Sequence, residues 1–165
     1  MKISLIYAQN EDRALGFRGN FKLPWHHKED LQRFKDLTMR KPIIMGMSTF
    51  TSLSKPLPGR VHHVLTRKTV FHSIASENVY FHPDLTSALK ACEDDGAGEV
   101  FIIGGEHVLA EGLSKADAIY RTLVRGTILE GNLAMAPSGL SQFELIREET
   151  PDTNAFVTFQ TFVKR

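Results

Sequence analysis

The sequence predicts an α/β domain: a largely parallel central sheet with helices on both faces and an antiparallel C-terminal edge. Three observations carry this expectation. The runs KISLIYA, KPIIMG and EVFIIGG are short and almost wholly apolar, as strands covered on both faces must be. KPIIMG and EVFIIGG end in glycine and lead at once into helical patterns, the strand-turn-helix succession of an α/β sheet. The last fifty or so residues hold three strand patterns, ADAIYRTLVRG, QFELIREET and NAFVTFQTFVK, with no helix between them.

Taken in order, KISLIYA forms the first strand and NEDRALGFRGNFK a long polar loop punctuated by Gly16 and Gly19, long enough for a lid, although a plain surface loop is the commoner outcome. LPWHHKEDLQRFKDLT follows, extended to Pro24 and helical from about His27 to Thr38. After KPIIMG, Ser48 is a candidate N-cap for a short helix ending near Leu53. KPLPGR is a rigid turn ending in Arg60, and HHVLTRK a strand with Arg67 just past its end. VYFH is a further strand. Asp84 then caps a helix, LTSALKACEDD, whose Leu85, Ala88, Leu89 and Cys92 share one face before GAG stops it. EVFIIGG runs into the helical segment EHVLAEGLSKA, and the last two strands pair antiparallel across TPDTN.

Composition bounds the function. With 165 residues, 42% hydrophobic and 24% charged, the chain is expected to form one domain over residues 1–165. Its net charge of +1, without a run of five like charges, offers no footprint for nucleic acid or an anionic membrane. A single cysteine, Cys92, rules out an internal disulfide and suits a reducing compartment, and the N-terminus does not read as a signal peptide. A cytoplasmic protein is expected. Cys92, on a helix, reads as packing. The adjacent pairs His26-His27 and His62-His63 diverge along helix or strand, so no metal site is expected.

One residue disturbs the pattern. At about 100° per residue, Asp30 points with Leu31, Phe34, Leu37 and Thr38, while Lys28, Glu29, Gln32, Arg33, Lys35 and Asp36 fill the opposite arc. A buried, unpaired carboxylate costs roughly several kcal/mol, so it requires a cation, a proton or a ligand that donates to it. The alternative is an acidic residue of the first helical turn that complements the helix dipole with little burial. Two strand-glycine-helix turns, at MGMS and IIGG, present geometry that can cradle phosphate, though most such turns bind nothing. Arg60 is either a carboxylate clamp aimed by its rigid turn or a solvated surface arginine.

Ten pieces, ISLIYA, RALG, LPW, DLQRFKDLT, KPIIMG, STFTSL, PLPGR, VLTR, VFIIGG and YRT, occur in the order and at the spacings of one family. On them the chain resembles dihydrofolate reductase from end to end. The resemblance implies an eight-stranded, mostly parallel sheet with an antiparallel C-terminal edge strand and four flanking helices. It also implies NADPH as cofactor, dihydrofolate as partner, and reduction of 7,8-dihydrofolate to tetrahydrofolate by hydride transfer.

The resemblance carries over residue by residue. Asp30 matches the acidic residue that accepts from a pterin ring nitrogen and the exocyclic amine, and its pKa should rise in an empty pocket. Leu23, Trp25 and Thr122 match positions around it. Ile6, Ala8, Leu31, Phe34, Leu53 and Ile103 match walls of the substrate pocket, Lys55 its rim, and Arg60 the arginine that grips the substrate's glutamate. For the cofactor, the matches are Ala8, Leu15, Gly16 and Asn20 near the nicotinamide, Gly46, Met47, Ser48 and Thr49 at the diphosphate, and Leu65, Thr66 and Arg67 at the adenosine. Ile103, Gly104, Gly105, Glu106, His107 and Val108 complete that set, with a cis Gly104–Gly105 bond. A monomer is expected.

Several departures stand out. Met47 replaces a frequent Arg or Lys, Leu109 a frequent Tyr, and Asn132, in GNLAMAP, an aspartate that often braces the lid. Two other readings stay open: a relative that reduces another pterin, against which Arg60 argues, and a binding protein that kept the fold without turnover.

Overall fold

The computed structural model describes residues 1–18, 23–68 and 77–165. Ten strands and four helices occur among them: β1 Lys2–Asn10, β2 Ala14–Phe17, α1 Lys28–Thr38, β3 Ile43–Gly46, α2 Met47–Ser52, β4 His62–Leu65 and β5 Val79–His82. There follow α3 Leu85–Asp94, β6 Glu99–Gly104, α4 Glu106–Leu113, β7 Ala118–Val124, β8 Leu133–Met135, β9 Phe143–Glu149 and β10 Val157–Lys164. None of these helices is long and apolar enough to cross a membrane.

Eight strands form one sheet in the order β5-β4-β3-β6-β1-β7-β10-β9. All pairings from β5 to β7 are parallel, and β10 runs antiparallel to both β7 and β9, so the C-terminal pair makes the antiparallel edge. The period-2 side-chain alternation of the central strands divides the core. Leu5, Ile44, Val100 and Ile102 face Leu85, Ala88, Leu89, Cys92 and Leu109 of α3 and α4. Ile6, Ile43, Met45 and Phe101 face the other way, toward Phe34 and Leu37 of α1 and Phe50 of α2. Both faces of the inner strands are therefore covered, which is why those strands read as unbroken apolar runs.

The loop read at NEDRALGFRGNFK is not all loop. Strand β1 runs on to Asn10, and β2 pairs antiparallel with β8 in a separate two-stranded sheet, with a register shift between Ala14 and Gly16. These strands of four and three residues carry no alternating pattern, and a remote partner specifies them more than local propensity does. Asp84 caps α3 as expected, accepting from the Ser87 amide at 2.7 Å. Its replacement by Ala should cost about 0.5–2 kcal/mol, read as a lower urea midpoint at unchanged m; an unchanged midpoint would remove the cap from the account.

Candidate active site

Helix α1 begins on His27, an extended residue whose carbonyl accepts from the amides of Asp30 (3.1 Å) and Leu31 (3.2 Å). That start fixes Asp30 in the first turn, on the side facing the sheet. Opposite it, the β1–β7 register sets Thr122 beside Ala8. Thr122, buried, donates its hydroxyl to Asp30 Oδ1 at 2.6 Å. Among the described residues no lysine or arginine nitrogen lies within 4.0 Å of this carboxylate, and Oδ2 has no protein donor. Burial pushes its pKa above the ordinary carboxylate range, against the opposing pull of Thr122, Arg33 and His27. The acidic first turn and the inward-facing carboxylate are thus the same residue.

Asp30 opens onto a cleft of about 600 Å³ at the carboxyl ends of β1, β3 and β6, where the crossovers from β1 and from β6 leave in opposite directions across the sheet. One half is apolar, walled by Ile6, Ala8, Leu31, Phe34, Leu53 and Ile103, with Leu23 alongside. The other half is largely backbone: Gly46, Met47, Ser48 and Thr49 at the start of α2, Gly104, Gly105, Glu106, His107 and Val108 at the start of α4, with Leu15 and Gly16 from β2.

The two glycine turns approach each other closely. A Cβ on Gly46 would stand 3.4 Å from Val108 Cγ2, and a Cβ on Gly105 3.4 Å from Thr49 Oγ1. The Gly104–Gly105 bond is cis, and Gly104 takes φ +145, which favours glycine. Gly105 caps α4 without a side-chain hydrogen bond, leaving the helix's first amides to a ligand or solvent. Ser48 is not the cap of α2. That helix starts at Met47, so Gly46 takes the cap position and Ser48 is an exposed residue inside the first turn.

Several residues assigned from the sequence lie off the cleft wall. Trp25 is buried behind it with Ala8, Val124 and Val157, its Nε1 without a partner among the described residues, and Thr122 reaches the cleft through Asp30. Lys55 is exposed and apart from the wall, because its turn carries it past Leu53. Leu65, Thr66 and Arg67 lie where β4 ends, one strand beyond Gly46, also outside the wall. Arg60 is neither on the wall nor solvated. It is 7% exposed, donates to Pro58 O (2.9 Å) and Thr38 Oγ1 (3.2 Å), and sits 5.9 Å from the Phe34 ring centroid. Among the described residues no carboxylate pairs with it, and burial lowers its pKa. Asn20 lies outside the described residues.

Sequence reasoning missed Tyr7, Phe17, Arg18, Ser52, Leu57 and Ala134 on the wall, while Leu109, already singled out as a departure, lies on it too. Phe17, Arg18 and Ala134 come from or directly follow the β2–β8 strands, which left no local signal; Ser52 and Leu57 flank residues already singled out. His62 and His63 diverge as expected, His62 toward the Leu57 amide (2.9 Å) and His63 toward His82 (2.9 Å).

Arg18 ties the β2–β8 pair to α4. It donates twice to Glu106, at 2.9 and 2.8 Å, and once to Asn132 Oδ1 at 3.0 Å, while Glu106 Oε1 also accepts from the Met135 amide at 3.1 Å. Hydrogen bonding from Arg18 lowers the Glu106 pKa. The tie is therefore present above the ordinary glutamate pKa of about 4.3 and lost as pH falls through the lowered value. Glu106→Gln should accelerate amide exchange at Phe17 and Ala134 roughly fivefold or more at pH 7, and unchanged exchange would show that the ion pair does not hold the two strands.

A family model described as Dihydrofolate reductase matches residues 2–164. Dihydrofolate reductase type 3 of Salmonella typhimurium is 40% identical over 124 residues, 75% of this chain and 72% of that protein. Dihydrofolate reductase of Staphylococcus aureus strain MSSA476 is 33% identical over 126 residues, 76% of this chain and 73% of its own. Among solved structures, dihydrofolate reductase from Enterococcus faecalis complexed with NADP(H) and RAB-propyl superposes with a TM-score of 0.83 at 26% identity, covering 99% of this chain and 96% of that one.

Proposed function

The chain belongs to the dihydrofolate reductase family, and on that premise we propose that the cleft beside Asp30 is its active site, with substrate in the apolar half and cofactor in the glycine-rich half. The enzyme is an NADPH-dependent oxidoreductase that reduces 7,8-dihydrofolate to 5,6,7,8-tetrahydrofolate. The observation that carries the site assignment is the Asp30 carboxylate: partly buried, facing the cleft, hydrogen-bonded at one oxygen and, among the described residues, without a protein donor at the other. A flat ring with two adjacent N–H donors fits such a group in a way that water or an apolar ligand does not.

In this reading Asp30 orients the pterin through its ring nitrogen and exocyclic amine, and promotes protonation of the ring nitrogen next to the carbon that is reduced. No second acid lines the apolar half (Glu106 borders the other), so the proton itself comes from water, and Trp25 Nε1, a buried donor beside Ala8, suits a role in ordering it. Ile6, Ala8, Leu31, Phe34, Leu53 and Ile103 keep the slot dry and hold the ring in place. Arg60, whose buried charge lacks an acid partner, takes the glutamate carboxylate, with Lys55 at the rim.

The backbone-lined half fits a dinucleotide, since Gly46, Gly104 and Gly105 keep its floor free of side chains and α4 offers uncapped amides. Gly46 to Thr49 and Gly104 to Val108 would hold the diphosphate, and Leu15, Gly16 and Asn20 the nicotinamide side. Leu65, Thr66 and Arg67 would meet the adenosine. NADPH, when bound, supplies the hydride. With Met47 in place of a cation, Arg67 carries the preference for NADPH over NADH.

We extend the reading to one domain over residues 1–165, acting as a cytoplasmic monomer without nucleic-acid or membrane partners; the net charge of +1 supports the absence of a nucleic-acid partner. Absorbance at the nicotinamide band, followed with dihydrofolate and with NADPH or NADH in parallel, tests the whole. Dihydrofolate-dependent oxidation favouring NADPH is expected, and folded protein without turnover would overturn the reading.

A further inference from the structure

Arg33 was placed on the polar arc of α1, but it turns inward. Its guanidinium lies 4.8 Å from the Phe159 ring centroid and 5.8 Å from that of Tyr120. Nη1 donates to Arg121 O at 3.1 Å and, at the longer distance of 3.4 Å, to Thr122 Oγ1; Nη2 donates to Gln160 O at 3.2 Å and Thr161 Oγ1 at 3.4 Å. Among the described residues no carboxylate forms an ion pair with it. A partly buried cation thus stands one helical turn from a partly buried carboxylate, with the Thr122 hydroxyl between them.

We propose that Arg33 is a positioning residue for Asp30, acting through Thr122 to fix the direction of the hydroxyl and to supply, among the described residues, the permanent positive charge near the carboxylate. A guanidinium only donates, so Thr122 Oγ1 must accept from Arg33 and gives its own hydrogen to Asp30. The chain of donors Arg33 to Thr122 to Asp30 therefore has one direction, and it presents Oδ2 to the substrate while Oδ1 is held. Arg33 also opposes the upward push of burial on the Asp30 pKa.

Few other groups interfere. His27, on the same helix, faces Asp30; Tyr120 on β7 and Arg147 and Glu149 on β9 face Arg33. The Arg121 side chain turns to Gln160 and Phe162, and Tyr7 of β1 belongs to the cluster on the opposite face of the sheet. This inference rests on Asp30 being the group that promotes protonation, and the test separates the two.

The carboxyl carbon of Asp30, labelled in ligand-free protein, is titrated by NMR in wild type, R33M and R33K. R33M should move the midpoint up by about half a pH unit or more, R33K should stay close to wild type, and the R33M effect should shrink in a Thr122→Val background. The pH profile of turnover should shift in the same direction. R33Q repeats the measurement should R33M not fold. A midpoint that coincides in wild type and the charge-removing variant overturns the proposal. A moved midpoint with an unmoved pH profile sinks the role of Asp30 instead and leaves its link to Arg33 standing.

Discussion

Asp30→Asn is expected to lower turnover of dihydrofolate near neutral pH by roughly two to four orders of magnitude, the range of a lost proton-transfer role, while substrate still binds. Asparagine keeps an oxygen for Thr122 but puts an N–H₂ where Oδ2 must accept, so one hydrogen bond to the pterin turns into a clash of donors. The same substitution should raise the protein's stability at pH 7. Burial raises the folded-state pKa of Asp30; below the unfolded value of about 3.9 the acid is neutral in both states and costs nothing extra. As pH climbs through that value toward the raised one, the folded state must either keep its proton or hold a buried charge, so folding loses free energy relative to the asparagine variant. The melting temperatures of the two proteins should therefore agree at pH 3 and separate by pH 7, with the variant higher. Unimpaired turnover would remove Asp30 from the chemistry, and a variant that melts lower at pH 7 would contradict the burial argument.

Arg60→Ala should weaken dihydrofolate binding by about 2–5 kcal/mol, the loss typical of truncating one partner of a buried charge pair. It should leave binding of a tail-less dihydropterin unchanged. The guanidinium already meets Pro58 O and Thr38 Oγ1, both neutral, and these two bonds orient it without cancelling its charge. A dissociation constant for dihydrofolate that does not move would take Arg60 out of the substrate site; equal losses for both ligands would mean that Arg60 acts by supporting Phe34 instead.

The parts of the site legible in the sequence were those written in local pattern. Asp30 broke the apolar stripe of its own helix, Gly104-Gly105 interrupted a strand at its exit, and Asp84 stood before a helical face that it does cap. What escaped depended on pairing between distant segments. Nothing in RALG announces that Ala14 will lie against Met135, so β2, β8 and the cleft residues they carry were hidden. Arg33 escaped for another reason. A helical wheel sets it only about 60° from Asp30, at the border of the apolar stripe, so its charge rather than its angle put it on the polar arc, and its long side chain reaches the carbonyls of β7 and β10. Ser48 was misjudged as the cap by two residues, because Gly46 can take the cap position and starts α2 earlier.

The last strand in sequence is not the last in space. Because β10 lies between β7 and β9, the carbonyl of Gln160 and the hydroxyl of Thr161 that receive Arg33 come from the strand made after all the others described. A polypeptide emerging from the ribosome can lay down β1, β3 and β6 and shape the glycine-rich half early, whereas the surroundings of the carboxylate stay unfinished until β10 has been made. A truncation that removes β10 should thus fall first on the Arg33–Thr122–Asp30 chain and only later on the glycine-rich half.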